Sequence, residues 1–438
     1  MKNTIPFLII FLFFYCTSQG KENLSREELE HYLRRSINMQ NMWDIVEDSV
    51  AFQNDLHFLE RIKPAFIGRA AGIWGGGWNE HRIFLNASII EKNIHSKTVH
   101  NNTILQAAVL EAVFPDIDIV DTNYSDGSNQ NLSGILVPAY VQQAFGIPFE
   151  PGMRFRFSEM IYDTVLARYD PQLARQGIYR LNASYIVYFD NGGEVVDMSK
   201  LQSRMLFYYR ATRFIDLGYE AIHFGQVEIM DRQDPTHSYW WDLLSKVRAY
   251  ARLHARRGFV LCDAHTFGKY YNGEGKVNTQ LLFDFHSWPI RMQEIKRKGT
   301  PEFDCRIAVK PSRSSDLVPI YTRSRGGISP MGWSCEHLPY LVEFDNTGYP
   351  LPKTGKVSGA QFVWGWDEIS WFANPDRSEE SRNKWLIYAW KKIKKLDSAG
   401  FLEIPGRNSY FTENKWPPKT YTAYPHQEST ILYLWKNE

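Results

Sequence analysis

The chain has 438 residues, 44% hydrophobic and 23% charged, which is globular composition with enough apolar material for a large core and excludes a disordered chain. Fifty basic residues oppose 49 acidic ones and no long basic block occurs, so the electrostatic footprint of a nucleic-acid binder is missing and a neutral substrate fits better. Aromatic residues make up 15% of the chain, with 14 tryptophans; packing absorbs part of that number, and stacking on sugar rings is a common use for the rest.

At the N-terminus, Lys2 precedes an apolar run over residues 5–15, followed by Cys16 and the polar stretch TSQGKEN. A bilayer span needs about 20 apolar residues, so residues 1–20 read as a signal peptide and the protein is expected to be exported. Cys16 directly after the run resembles a bacterial lipoprotein processing site, which would make a lipid anchor there the one membrane contact. Tyr15 is larger than the residue such sites prefer, and plain secretion with cleavage further on is the alternative. Residues 21–60 read as a charged helical lead-in packed on the exterior of the domain that follows.

Residues 61–438 are expected to form one catalytic domain. Short apolar runs at 65–74 and 104–114 read as buried strands, and HRIFLNASIIEKNIHSKTV between them as a helix. A further strand is expected between 146 and 196, with ASYIVYFD (183–190) preferred over MRFRFSEM (153–160). A clear unit then begins. Leu201, Met205, Tyr208, Thr212 and Ile215 lie on one helical face, Gly218 closes the helix as a C′ glycine, and YEAIHFGQVEI (219–229) follows as a strand. The unit repeats with Trp240, Leu244, Val247 and Ala251, then Gly258, then FVLCDAH (259–265). Further strands are expected at LLFDFH (281–286), YLVEFD (340–345) and AQFVWGWDEI (360–369); a third helix, DRSEESRNKWLIYAWKKIKKLDSAG, ends at Gly400. Cys262, Cys305 and Cys335 have no CxxC spacing, which suggests neither a zinc knuckle nor a disulfide framework, with one Cys305–Cys335 bridge open in an oxidising compartment.

Strands alternating with helices of this length imply parallel βαβ units, and eight of them make a single (β/α)8 TIM barrel with elaborated βα loops behind the N-terminal helical lead-in. A doubly wound sheet is the alternative, but no GxGxxG or P-loop supports nucleotide use. In a barrel, catalytic side chains sit at the C-terminal strand ends. Polar residues gather there: His223, Gln226 and Glu228; Asp263 and His265; Asp284 and His286; Glu343, Asp345 and Asn346; Asp367 and Glu368. Buried charges are costly unless paired or functional, so the convergence weighs more than any single residue.

With Glu228 at the expected fourth strand and Glu343 at the seventh, the chain resembles the TIM-barrel glycoside hydrolases of the large clan that carries its acid/base Glu and nucleophile Glu at those two strands. Where that clan has Asn before the first Glu, this chain has Val227. The resemblance implies a retaining glycosidase that needs no cofactor, acting on a poly- or oligosaccharide, with Glu228 as acid/base and Glu343 as nucleophile. Independently of it, glycoside hydrolysis requires one carboxylic acid and one carboxylate facing each other. Trp74, Trp78, Trp288, Trp364 and Trp366 lie at or beyond expected strand ends as a stacking platform. His223, Gln226, Asp263, His265, Asp284, His286, Asp345, Asn346 and Asp367 are expected to bind sugar hydroxyls.

Two other readings stay open. Asp263 with His265 and Asp284 with His286 are each two apart on a strand, so each pair points one way, and the four could converge on a divalent metal. A barrel that binds glycans without cleaving them would keep the tryptophans and lose the carboxylate geometry.

Overall fold

A computed structural model of the chain describes residues 23–39, 42, 46, 49–73, 80–95, 102–109, 113–114, 134–156, 159–160, 194–225, 227–231, 234, 236–265, 280–287, 291–296, 303–308, 324–343, 378–406 and 426–438. Short parallel strands run through the middle of the fold: β1 (Ser36–Asn38), β2 (Phe66–Gly72), β3 (Ile104–Ala108), β4 (Ala221–His223), β5 (Leu261–Asp263), β6 (His286–Ser287), β7 (Tyr340–Val342), β8 (Gly400–Leu402) and β9 (Ile404–Pro405). A six-stranded parallel sheet has the order β9-β1-β2-β3-β4-β5, and a three-stranded parallel sheet the order β8-β7-β6. Two links join them. Glu403 alone separates β8 from β9, and an isolated parallel bridge pairs His265, just past β5, with Ser287 of β6.

Helices alternate with these strands: α1 (Arg26–Arg34) precedes β1, α2 (Ser49–Ile62) follows it, and α3 (Glu80–Asn93) lies between β2 and β3. Between β3 and β4 come α4 (Ala139–Ala144) and α5 (Leu201–Asp216); between β4 and β5 come α6 (Val227–Met230) and α7 (Ser238–His254). After β7 comes α8 (Glu379–Leu396), and α9 (Glu428–Lys436) follows β9. The chain is therefore α/β with a parallel sheet. Two of the expected glycine stops hold, since Gly218 and Gly258 have left-handed backbones at φ 96° and 75°, which side chains disfavour; α8 instead ends at Leu396, and Gly400 opens β8.

Three expectations are corrected. The 21–60 segment is not a purely helical exterior lead-in: it contains β1, paired on both sides by β9 and β2. No strand from 146–196 enters the sheet between β3 and β4, which pair directly; the strand described in that range, Glu194–Val195, pairs antiparallel with Val113–Phe114 instead. The strand after β7 in the sheet is GFLEIP, not AQFVWGWDEI, because β7 pairs directly with β8. Residues 360–369 and 183–190 lie outside the described residues.

The side chains sort into two cores by the period-two rule for strands. Ile37, Ile67, Leu105, Ile222, Cys262 and Ile404 join the helices in the larger core. The alternate positions Phe66, Ile104, Ala221, Leu261, Phe285, Leu341 and Phe401 form a second core with Leu29 and Leu33 of α1 and with Met331. Helix α1 starts in a capping box, with Ser25 accepting from the Glu28 amide and the Glu28 carboxylate accepting from the Ser25 amide. Its two leucines close one end of the second core, and each fully buried side chain contributes about 1.5–3 kcal/mol.

Two residues further along each strand the character changes. Ser36, Phe66, Ile104, Ala221, Leu261, Phe285, Leu341 and Phe401 are followed at that spacing by Asn38, Gly68, Gln106, His223, Asp263, Ser287, Glu343 and Glu403. An apolar layer thus underlies a polar one at the C-terminal strand ends. Leu29→Ala is expected to lower stability in chemical denaturation by about 2–5 kcal/mol. Leu253→Ala, on a side chain 83% exposed, should stay within about 0.5 kcal/mol of wild type.

Candidate active site

Glu343 follows β7 directly, and its side chain is 1% exposed. Both carboxylate oxygens accept from Nη2 of Arg69, whose side chain is 4% exposed. His265 Nε2 lies 2.7 Å from Glu343 Oε1 and 2.8 Å from Arg69 Nη2. Asn38 Nδ2 donates to Glu343 Oε2 and to Glu403 Oε2, both at 3.2 Å, so two carboxyl groups share one amide.

Their charge states diverge. Burial pushes the Glu343 carboxyl up, but the Arg69 guanidinium and the His265 hydrogen bond outweigh it and hold it at about 2. Burial, and then the Glu343 charge, push Glu403 well above the usual carboxylate range. Burial, then the neighbouring His223, then the Arg69 guanidinium push His265 well below the ordinary imidazole value. Around the Arg69 guanidinium the site thus favours the ionised form of Glu343, the protonated form of Glu403 and the unprotonated ring of His265.

The backbone is shaped to deliver Arg69. The β2–β3 register shifts between Ile67 and Ala71, and within that irregularity Arg69 is left-handed at φ 49°. A non-glycine residue there costs on the order of 1–3 kcal/mol and persists where its surroundings enforce it. Here Gln106 does so, accepting from the Arg69 amide at 3.1 Å with Oε1. Gly68 makes room on the other side, because a β-carbon there would overlap the Glu403 carboxyl.

Asp263 is the second centre. Its Oδ1 accepts from Gln106 Nε2 at 2.6 Å, and its Oδ2 accepts from Ser287 Oγ at 3.0 Å and from His223 Nδ1 at 2.9 Å. The His223 and His265 rings meet edge-on, with centroids 4.4 Å apart. Gln106 thereby ties the Arg69–Glu343 group to the Asp263–His223 group.

The structure brings together Glu343, His223, Asp263 and His265 of the residues singled out from the sequence. It does not bring Asp284 and His286 to them. Asp284 accepts from the Cys262 amide at 2.8 Å and from Arg248 of α7 at 3.1 Å, while His286 lies against the Tyr340 ring. Those two belong with the helix-side core, because Asp263 and Asp284 project from opposite faces of the sheet. The four-residue metal set is therefore divided, and no group of three or more His, Cys, Asp or Glu arranged to hold a metal occurs among the described residues. Glu228 lies on α6, past β4 rather than within it. Trp74, Trp78, Gln226, Trp288, Asp345, Asn346, Trp364, Trp366 and Asp367 lie outside the described residues, as does the 1–22 segment with Cys16. No helix of the described residues is long and apolar enough to cross a membrane. Cys335 is a free thiol, so the Cys305–Cys335 bridge is not formed.

Sequence reasoning missed Asn38, Arg69, Gln106, Ser287 and Glu403. A signal existed for Arg69, a lone charge inside the apolar run AFIGRAAGI, and for Glu403, in the strand that the helix–glycine unit should have placed after Gly400. No protein-family model matches the chain, and no curated protein is significantly similar to it.

The two carboxyls should give opposite pH signatures. Glu343, lowered from 4.5 to about 2, contributes stability that is present above pH 4.5 and lost as pH falls towards 2. Glu403 is raised above 4.5, so its contribution is full below that pH and is lost as pH climbs through the raised value. Relative to Glu343→Gln, wild type should lose stability towards acid; relative to Glu403→Gln, it should lose stability towards alkali. Denaturation midpoints against pH check both signs.

Proposed function

We propose that the chain is a retaining glycoside hydrolase on a closed (β/α)8 barrel, with Glu343 as the nucleophile that attacks the anomeric carbon and Glu228 as the general acid/base. The observation that carries this reading is the buried, ionised Glu343 at the C-terminal end of a central parallel strand, held by Arg69 inside a polar layer. Arginine cannot release its proton at working pH, so it keeps the carboxylate charged and aimed, which suits an attacking group and not a proton donor.

Closure of the barrel is supported by the pairings. From β1 they run through β2, β3, β4 and β5, across the His265–Ser287 bridge to β6, then through β7 to β8, and β9 returns to β1. The inner apolar core, distinct from the helix-side core, is what a closed sheet filled by its own side chains produces.

The mechanism follows from charge. Oxocarbenium character develops at the anomeric carbon as the leaving oxygen takes a proton, and a fixed carboxylate stabilises it and then bonds covalently. Burial and the Glu343 charge favour the protonated form of Glu403, which disfavours a doubly anionic pair before substrate enters. Glu228 lies on the helix that follows β4, three strands from β7 in the order of the pairings. Stacking on Trp74, Trp78, Trp288, Trp364 and Trp366 would hold a neutral poly- or oligosaccharide, with no nucleic acid and no cofactor involved. Export by the 1–20 segment, with a lipid anchor at Cys16 or plain secretion, would present the enzyme to extracellular glycans.

The test is a panel of dinitrophenyl glycosides and polysaccharides, with and without EDTA. Turnover that persists in EDTA is expected; binding without turnover across the panel would favour a glycan-binding barrel, and activity abolished by EDTA would favour metal-dependent hydrolysis. On any cleaved substrate, Glu343→Gln is expected to reduce kcat at least ~1000-fold, above the ~100-fold at the low end of what loss of one acid/base group costs. Azide should restore activity to Glu343→Gly with a product of inverted configuration.

A further inference from the structure

We infer that His223 Nε2 is the hydrogen-bond acceptor for one hydroxyl of the sugar ring bound over Glu343, and that Asp263 fixes it in that role. This rests on the glycosidase reading. His223 is fully buried, and its Nε2 has no hydrogen-bond partner among the described residues. Buried polar atoms are nearly always paired, and an orphaned one costs about 1–3 kcal/mol unless water or a ligand fills the vacancy.

The other side of the ring decides what the ligand must offer. Asp263 Oδ2, which already accepts from the Ser287 hydroxyl, lies 2.9 Å from Nδ1, and that contact places the ring proton on Nδ1. With its single N–H at Nδ1, the ring presents Nε2 as a bare lone pair that calls for a donor. Asp263 already faces Gln106, Ser287 and His223 with its oxygens. It acts as the positioning residue that fixes the tautomer.

Location narrows the donor. The His223 ring stands 4.4 Å from the His265 ring, and His265 Nε2 is 2.7 Å from Glu343 Oε1. A group that meets Nε2 is therefore part of the sugar unit whose anomeric carbon faces Glu343, not of a remote one. The ligand class is a neutral pyranose or furanose with a free ring hydroxyl; a sugar alkylated or deoxygenated at that position is excluded. A site built around one such hydrogen bond discriminates strongly against analogues lacking it, since the buried acceptor is then left unpaired.

Two readouts test this in the full chain. The first needs no substrate: in the nitrogen-15 histidine spectrum, with His223→Asn assigning the signal, the free protein is expected to show the Nδ1–H tautomer near neutral pH. An Nε2–H tautomer, or a doubly protonated ring, overturns the inference whatever the protein hydrolyses. The second uses whichever dinitrophenyl glycoside wild type cleaves, with its monodeoxy analogues. His223→Phe is expected to cut kcat/KM for the parent about 10- to 100-fold, as one buried hydrogen bond implies, and to leave one monodeoxy analogue almost unaffected. His223→Gln, which retains an acceptor, should lose less. Equal losses on the parent and every analogue would mean a purely structural residue and overturn the inference. No turnover by wild type would count against the glycosidase reading, while the spectrum still decides the tautomer.

Discussion

A buried carboxylate costs several kcal/mol in desolvation unless a cation and further hydrogen bonds compensate it, and the site is arranged around meeting that condition for Glu343. Arg69 supplies the cation, His265 and Asn38 the additional contacts. Each partner in turn imposes a requirement on the chain. Arg69 reaches Glu343 from an irregular β2 with a left-handed backbone; that backbone leaves an amide for Gln106; Gln106 spends its own amide on Asp263; and Asp263 orients His223. A buried pair of this kind is weak evidence for stability, because apolar substitutes often serve as well. It is better evidence for function, since the strain and the network both converge on one ionised oxygen pair.

The layer beneath makes this affordable. Phe66, Ile104, Leu261, Phe285, Leu341 and Phe401 fill the space below the polar residues, with α1 closing the far end through Leu29 and Leu33. Dry, close-packed surroundings raise the strength of every charge interaction above them and hold the side chains that make them. The N-terminal segment is thus part of the support of the site, both through α1 and through β1, which brings Asn38 to the two carboxyls.

What could be read from the sequence follows the same physics. The helix, glycine, strand units around Gly218 and Gly258 were legible because amphipathic spacing and a C′ glycine act locally, and Glu343, Asp263, His265 and His223 were legible as polar ends of apolar strands. β1 was not: Ser36–Asn38 is three residues long between helices, too short for a period to register. β8 and β9 were overlooked because the tryptophan-rich 360–369 run competed for the last position. Asp284 and His286 obeyed the same i, i+2 rule as Asp263 and His265, but on the other face, and a slip of one residue in register exchanges the faces. Arg69 and Gln106 owe their roles to a strand irregularity that propensity does not predict.

The central claim is that Glu343 forms the covalent bond to sugar. The most direct measurement is to treat the protein with the 2,4-dinitrophenyl 2-deoxy-2-fluoro glycoside matching its cleaved substrate, then to record intact mass and map the labelled peptide. The account predicts a mass gain of one fluoroglycosyl group per chain, on the peptide containing Glu343 and on that residue. Label on Glu228, Glu403 or Asp263 instead, or inactivation of a competent enzyme with Glu343 unmodified, would contradict it.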